Sequence, residues 1–290
     1  MGKYKVVYIS GSGRSGSTLL ATLLGGQEGW INVGEASRFL FDKKLMALSI
    51  PCGCGKDVRE CIFWKKIGLV ENWELIENVT QLIRVRNMIP LLSGFYKSEL
   101  QLYYDELSRI FNELQNLKKV DVIVDSSKNP ATAAALLHHP EIELYVIHLV
   151  RNPQSVVLSW SRPKGYLKGY SPLRAAYWWY IYDFPSRILK KRAKSYVLVK
   201  YEDLVSDPQK VLKDIIKQLG LGDYKLEMKD SIKNERHDIG GNPVKFENDF
   251  RIEYHNWYDR WKKRGIIFRF ATWLILLPGL MFYGYKPNKL

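Results

Sequence analysis

The segment KVVYISGSGRSGSTLLATLL, Lys5 to Leu24, changes character twice. Lys5 to Ser10 is a β-branched and aromatic run of strand type. Leu19, Leu20, Leu23 and Leu24 then recur with helical spacing. Between them, Gly11-Ser12-Gly13-Arg14-Ser15-Gly16-Ser17-Thr18 supplies glycines where the chain must turn sharply. It delivers free backbone N–H groups to a helix N-terminus. A strand, a glycine-serine loop and a helix in this order bind a phosphate or a sulfate, and they predict a mainly parallel α/β sheet.

Gly11 and Gly16 match the spacing of the nucleotide-binding pattern G-x-x-x-x-G-K-[ST], but Ser17 stands where its lysine belongs. An ATPase or kinase reading loses its main cation. The positive charge sits at Arg14 instead, where a guanidinium can take two oxygens of one anion in a forked contact.

The chain has 290 residues, room for one elaborated α/β domain, and one domain over residues 1–290 is expected. Lys and Arg total 44 against 30 Asp and Glu, a net charge of +14. The cations are scattered, with no sustained basic helix or RNA-binding motif, so nucleic acid is not expected as a partner. A small polyanion suffices as the charged ligand. The N-terminus runs almost at once into the first strand, which leaves no room for a signal peptide and implies a cytoplasmic protein. The strongest apolar run, Phe270 to Tyr283, is too short to span a bilayer and is interrupted by Pro278 and Gly279. It reads as a buried C-terminal helix. The alternative is a helix lying on a membrane surface, with Trp273, Phe282 and Tyr283 as aromatic contacts and the cations at 262 to 264 beside it.

Four more strands are predicted, at Ile31 to Glu35, Val120 to Val124, Leu144 to Val150 and Ser195 to Val199. Each ends in polar residues, at the sheet edge where open α/β folds bind ligands. The second delivers Glu35, the third leads to Lys128 in Asp125-Ser126-Ser127-Lys128-Asn129-Pro130, and the fourth leads to Arg151-Asn152-Pro153. Asn152 suits a helix cap and Pro153 a first helical turn. The fifth leads to Tyr201-Glu202-Asp203-Leu204. Residues 62–118 are helical in pattern and form an insertion that overhangs this edge as part of an acceptor pocket or a lid. The aromatic run from Ser161 to Tyr182 reads as core, with one ring free to touch a ligand. The three cysteines, Cys52, Cys54 and Cys61, fall within ten residues. No histidine is near them in sequence to complete a tetrahedral metal site, so reduced thiols are expected and no metal, with a Cys54–Cys61 bridge as the sharper alternative.

In order and in spacing, these segments resemble the sulfotransferases that use 3′-phosphoadenosine 5′-phosphosulfate (PAPS). The loop at Gly11 to Thr18 is similar to their 5′-phosphosulfate loop. Leu149-Val150-Arg151-Asn152-Pro153 with Ser159 eight residues after Arg151 is similar to their 3′-phosphate element. Val33-Gly34-Glu35 resembles the segment carrying the catalytic base of the tyrosylprotein members. The resemblance therefore implies Ser12, Gly13, Arg14, Ser15, Gly16, Ser17, Thr18, Arg151, Ser159 and Tyr201 as donor-binding residues. Asn242 and Lys245, in the glycine-proline loop after His237, are implied as a late closure over the nucleotide. Lys128 is implied at the bridging oxygen and Glu35 as the base, with His237 and His148 next in line. The implied reaction moves a sulfuryl group to an acceptor hydroxyl of a small molecule, glycan, lipid or peptide, without a metal. A P-loop kinase or hydrolase and a non-catalytic phosphonucleotide binder are the rival readings.

Overall fold

The computed structural model describes residues 3–70, 73–117, 119–163, 169–222, 236–243 and 257–286. Five parallel strands, β1 (Tyr4–Ser10), β2 (Trp30–Gly34), β3 (Val122–Lys128), β4 (Ile142–Val150) and β5 (Ser195–Lys200), lie in the order β2-β3-β1-β4-β5. The central strand β1 shows why the sheet is covered on both sides. Tyr4, Val6 and Tyr8 point into one apolar cluster and Val7 and Ile9 into another, as the two-residue period of a strand requires.

Different parts of the chain fill these two faces. On the Val7 side, α1 (Ser17–Gly25) contributes Leu20, Leu23 and Leu24, and α12 (Pro208–Leu219) contributes Leu212, Ile215, Ile216 and Leu219. Each fully buried leucine there is worth about 1.5–3 kcal/mol over an exposed one. On the Val6 side lies the insertion between β2 and β3. It contains α4 (Ile62–Ile67), α5 (Trp73–Leu82), α6 (Met88–Ser93) and α7 (Gln101–Leu117), and it buries Trp64, Tyr103, Tyr104 and Phe111. Two short helices, α2 (Ala36–Phe39) and α3 (Lys43–Met46), link β2 to it. The helical insertion follows the sequence pattern.

The remaining elements also start where their caps place them. Asn129 Oδ1 accepts from Ala131 N at 3.0 Å to begin α8 (Pro130–Leu136), and Asn152 Oδ1 accepts from Gln154 N at 3.0 Å to begin α9 (Pro153–Trp160). α10 (Pro172–Ile188) carries the aromatic run, and α11 (Tyr201–Ser206) follows β5 directly.

Two expectations need correction. β3 does not stop at Val124 but runs through Asp125, Ser126 and Ser127 to Lys128. Those polar residues stay in the strand because Asp125 is satisfied inside the protein by backbone N–H groups. The C-terminal helix, Ile266–Phe282, also runs through Pro278 and Gly279 rather than breaking there. A Cβ at Gly279 would lie 2.5 Å from Trp179 Cζ3, so close packing on α10 holds the helix over the bond that proline removes. Among the described residues no helix is long and apolar enough to cross a membrane.

Candidate active site

The loop between β1 and α1 alternates backbone hand, with positive φ at Gly11, Arg14 and Gly16. Such alternation turns successive N–H groups into one concavity suited to an anion. At Gly16 no side chain fits, because a Cβ would lie 2.3 Å from Tyr201 Cδ2. Among the described residues, Arg14 (φ 68°) and Lys128 (φ 69°) are the non-glycine residues with positive φ. That conformation costs about 1–3 kcal/mol each and collects at functional sites. Both of these cations were singled out in the sequence.

Arg14 and Arg151 meet across this loop. The Arg14 guanidinium lies 4.9 Å from the Trp160 ring and that of Arg151 lies 4.1 Å from the Tyr201 ring, distances at which cation and π face attract. Arg151 Nη1 also donates to Arg14 O at 3.1 Å. The glycine loop after β1, the segment after β4 and the turn after β5 thus come together. Ser159 is half-buried on α9, two turns from Arg151 and next to Trp160. Ser15 Oγ, in the loop, and Ser155 Oγ, on the first turn of α9, are buried with no hydrogen-bond partner among the described residues. Ser12 Oγ donates to Gly13 O at 3.1 Å, and Ser17 is buried at the start of α1.

Glu35 follows β2 directly and faces Lys128 from the end of the adjacent strand β3. The Lys128 ammonium lies 2.6 Å from Glu35 Oε1, and both side chains are largely buried. Lys128 Nζ also donates to Ser126 O at 3.0 Å, and Arg38 Nη1 stands 3.8 Å from Glu35 Oε2. Asp125 fixes the two elements against each other. Its Oδ2 accepts from Ser37 N at 3.0 Å and its Oδ1 from Ser127 N at 2.8 Å. Burial pushes the Asp125 carboxyl above its ordinary value, and these donors pull the other way.

A third segment, from far along the chain, closes this half of the site. Ile239 N donates to Val33 O at 3.1 Å, and Glu35 N donates to Ile239 O at 2.9 Å. Gly241 N donates to Glu35 Oε1 at 3.1 Å and Asn242 N to Thr18 Oγ1 at 3.0 Å. Asn242 therefore reaches the end of the glycine loop, through its backbone. Lys245 lies outside the described residues.

Neither reserve base is available. His148 is fully buried, with Nδ1 2.6 Å from Tyr196 OH and Nε2 3.1 Å from Asp183 Oδ1. His237 sits among the cysteines, its Nδ1 3.3 Å from Cys61 Sγ. The absence of a nearby histidine in the sequence is thus misleading, because folding brings one in. No disulfide joins the three cysteines, and Cys54 and Cys61 sulfurs stand 3.7 Å apart. Sequence reading also missed Trp160, Asp125 and Gly241. Asp125 had a signal, a carboxylate ending an apolar strand; the others act through contacts that no local pattern encodes.

Comparison with known proteins bears on the family and the fold. The profile of the sulfotransferase family matches residues 7–225. No curated relative matches the chain by sequence. Among solved structures, the sulfotransferase domain of the curacin biosynthetic pathway is similar with a TM-score of 0.61 at 19% identity, covering 99% of this chain and 100% of that one. The sulfotransferase domain of the Synechococcus PCC 7002 olefin synthase gives 0.56 at 21% identity, over 99% and 97%. Sulfotransferase STF9 from Mycobacterium avium gives 0.50 at 12% identity, over 100% and 79%. With a family match over most of its length and a fold similar to these domains, the chain belongs to the sulfotransferase family.

Proposed function

We propose that the chain transfers a sulfuryl group from PAPS to an acceptor hydroxyl. The observation that carries this reading is the Glu35–Lys128 pair, 2.6 Å apart at the ligand edge of the sheet, beside a loop whose cation is Arg14. In the proposed step the acceptor oxygen bonds to sulfur as the bond from sulfur to the phosphate oxygen breaks. Glu35 takes the acceptor proton, and adenosine 3′,5′-bisphosphate leaves. Lys128 exchanges its carboxylate partner for the leaving oxygen, and Arg14 offsets charge on the 5′ group. Arg151 and Ser159 take the 3′-phosphate. The buried, unpartnered hydroxyls of Ser15 and Ser155 support two anion positions, one at the loop and one at the start of α9.

A kinase reading would need a lysine at position 17 and a metal to replace these cations. A pure binder would have no use for a buried carboxylate beside the loop. The test is thermal unfolding with adenosine 3′,5′-bisphosphate, ADP, or ATP with magnesium, followed by transfer of labelled sulfate to a panel of acceptors. A ligand at a hundred times its Kd stabilises by about 2.7 kcal/mol. The bisphosphate should shift the melting temperature most. Equal stabilisation by ATP with magnesium would return the kinase reading, and donor binding without transfer to any acceptor would return the binder.

The unbridged thiols support a cytoplasmic enzyme. The C-terminal helix supports peripheral membrane contact. Ile267, Phe270, Leu274 and Met281 are all at least half exposed and recur on one face, and Lys262, Lys263 and Arg264 precede them. An apolar stripe beside cations suits an anionic lipid surface. Sedimentation with phosphatidylserine vesicles, but not with phosphatidylcholine alone, is the expected result, and Leu274→Glu should abolish it. No sedimentation with either would end this reading.

A further inference from the structure

Cys52, Cys54, Cys61 and His237 converge on one point. Their ligand atoms all lie within 4.8 Å of one another. The Sγ atoms of Cys52 and Cys61 are 3.5 Å apart and those of Cys54 and Cys61 3.7 Å. His237 Nδ1 is 3.3 Å from Cys61 Sγ and 3.8 Å from Cys52 Sγ. A zinc ion bound at ordinary lengths has tetrahedral edges of about 3.8 Å between sulfurs and about 3.6 Å between sulfur and nitrogen. Four of the six donor–donor distances therefore match the edges of such a tetrahedron to within a few tenths of an ångström, and the other two are no longer than 4.8 Å. A Cys54–Cys61 disulfide would use two of them and leave the buried Cys52 thiol and an imidazole facing it.

The surroundings hold these donors in place. Cys52 N donates to Lys56 O at 2.8 Å, Gly55 N to Cys52 O at 2.9 Å and Cys61 N to Asp57 O at 3.0 Å, folding residues 52–61 into a tight knuckle. His237 is 176 residues from Cys61. Its ring stacks on Phe63, with centroids 4.5 Å apart and planes within 6°. Trp64 Nε1 donates to His237 O at 2.7 Å, fixing the backbone that carries the ring. Three sulfurs and one imidazole nitrogen are a donor set for zinc.

We infer that Cys52, Cys54, Cys61 and His237 bind a structural zinc ion that staples the late segment to the strand end bearing Glu35. The link is short. Gly53 N donates to Asp238 O at 2.9 Å, and Gly240 N donates to Pro51 O at 3.2 Å. Two residues beyond His237, Ile239 pairs with both Cys52 and Gly34. Gly241 then meets Glu35 itself. The ion would act as a positioning element for the base, from outside the donor pocket, and with four protein ligands it has no open position for chemistry. The assignment does not depend on the identity of the sulfuryl donor.

The test is elemental analysis of the intact chain purified under reducing conditions with no metal-affinity tag and no chelator. One zinc per chain is expected. After exchange into cobalt, the visible bands of tetrahedral cobalt and a near-ultraviolet thiolate charge-transfer band are expected, and this readout needs no variant. Cys61→Ser should lower zinc affinity by more than about a hundredfold. Cys54→Ser removes the exposed ligand and is the milder change if Cys61→Ser fails to fold; it should still weaken binding and alter the thiolate band. A chain that takes up neither zinc nor cobalt while all three thiols react freely with a disulfide reagent would overturn the site. So would an octahedral cobalt spectrum, or zinc retained unchanged in a folded Cys54→Ser protein.

Discussion

The half of the site built on the glycine loop and the half that carries Glu35 are built in opposite ways. The first is a continuous loop, Gly11 to Thr18, between one strand and one helix, and its shape follows from glycine placement within eight residues. The second is assembled from the ends of β2 and β3 and from residues 237–242, which meet Glu35 from over 200 positions away. On the proposed reading, local backbone geometry sets where an anion binds, whereas tertiary contact sets where a proton goes. If that contrast is correct, damage to the first half should appear in nucleotide binding and damage to the second in turnover.

The largest expected effect is at Glu35. Glu35→Gln keeps the shape and can still accept from Gly241 N, but it removes the base and the ion pair with Lys128. Turnover should fall by about a hundred- to ten-thousand-fold, with affinity for adenosine 3′,5′-bisphosphate nearly unchanged. Steady-state rates beside bisphosphate titrations read both. Near-normal turnover would move the base elsewhere, and neither His148, buried against Asp183, nor His237, among the thiols, could take its place without rearrangement.

Arg151→Ala probes the other half. Removing a charge-assisted contact from a partly desolvated site costs about 2 to 4 kcal/mol, so bisphosphate binding should weaken by roughly thirty- to a thousandfold. Binding of AMP, which lacks the 3′-phosphate, should weaken far less. Isothermal titration with both nucleotides decides it: equal losses would take Arg151 out of the 3′ position and leave it a support for Arg14 O and the Tyr201 ring.

The same contrast explains what could be read from the sequence. Five strands in this order, the glycine loop between β1 and α1, the cap at Asn152 and the cation Arg151 after β4 are local patterns, and they stand where the sequence puts them. β3 was cut short because Asp125, Ser126 and Ser127 look like a turn; only their partners, Ser37 N and the Ser37 hydroxyl among them, keep them in the sheet. Pro278 looked like a helix end because the contact of Gly279 with Trp179 is invisible in one dimension. His237 could not be assigned to the cysteines for the same reason. What local pattern does not show is tertiary: the partners of one buried carboxylate, one histidine ring stacked beside the thiols, and the contact of the late loop with Glu35.

Asp125 gives a test of how firmly the second half is tied. Asp125→Ala leaves Ser37 N and Ser127 N buried without their acceptor, and an unmade buried bond costs about 1–3 kcal/mol. Because the deleted carboxylate is itself held at a desolvation cost, a net loss of about 2 to 3 kcal/mol is expected, measured by urea unfolding. Turnover of the folded fraction should fall as well, since Glu35 and Lys128 lose their common brace. Unchanged stability would mean that the surrounding helices, not Asp125, set the two strand ends.

The smallest effect is the most specific to the late segment, and it needs a matched control. Gly241 (φ +87°) would place a Cβ 3.0 Å from Thr18 Oγ1, whereas Gly220 (φ +69°), the cap of α12, has nothing within 4 Å. Alanine in left-handed backbone costs about 1–2 kcal/mol at either position. The two variants should therefore lose similar stability in thermal unfolding. They should part in turnover, because crowding at Thr18 must push the Gly241 N–H away from Glu35 Oε1, now 3.1 Å off. A shift of a few tenths of an ångström at a positioned base costs several-fold to about tenfold in rate. Gly241→Ala should show that loss and Gly220→Ala should not. Matching turnover in the two would show that the late loop covers the site without orienting the base, and the contrast between a local and an assembled half would then reduce to the strand ends alone.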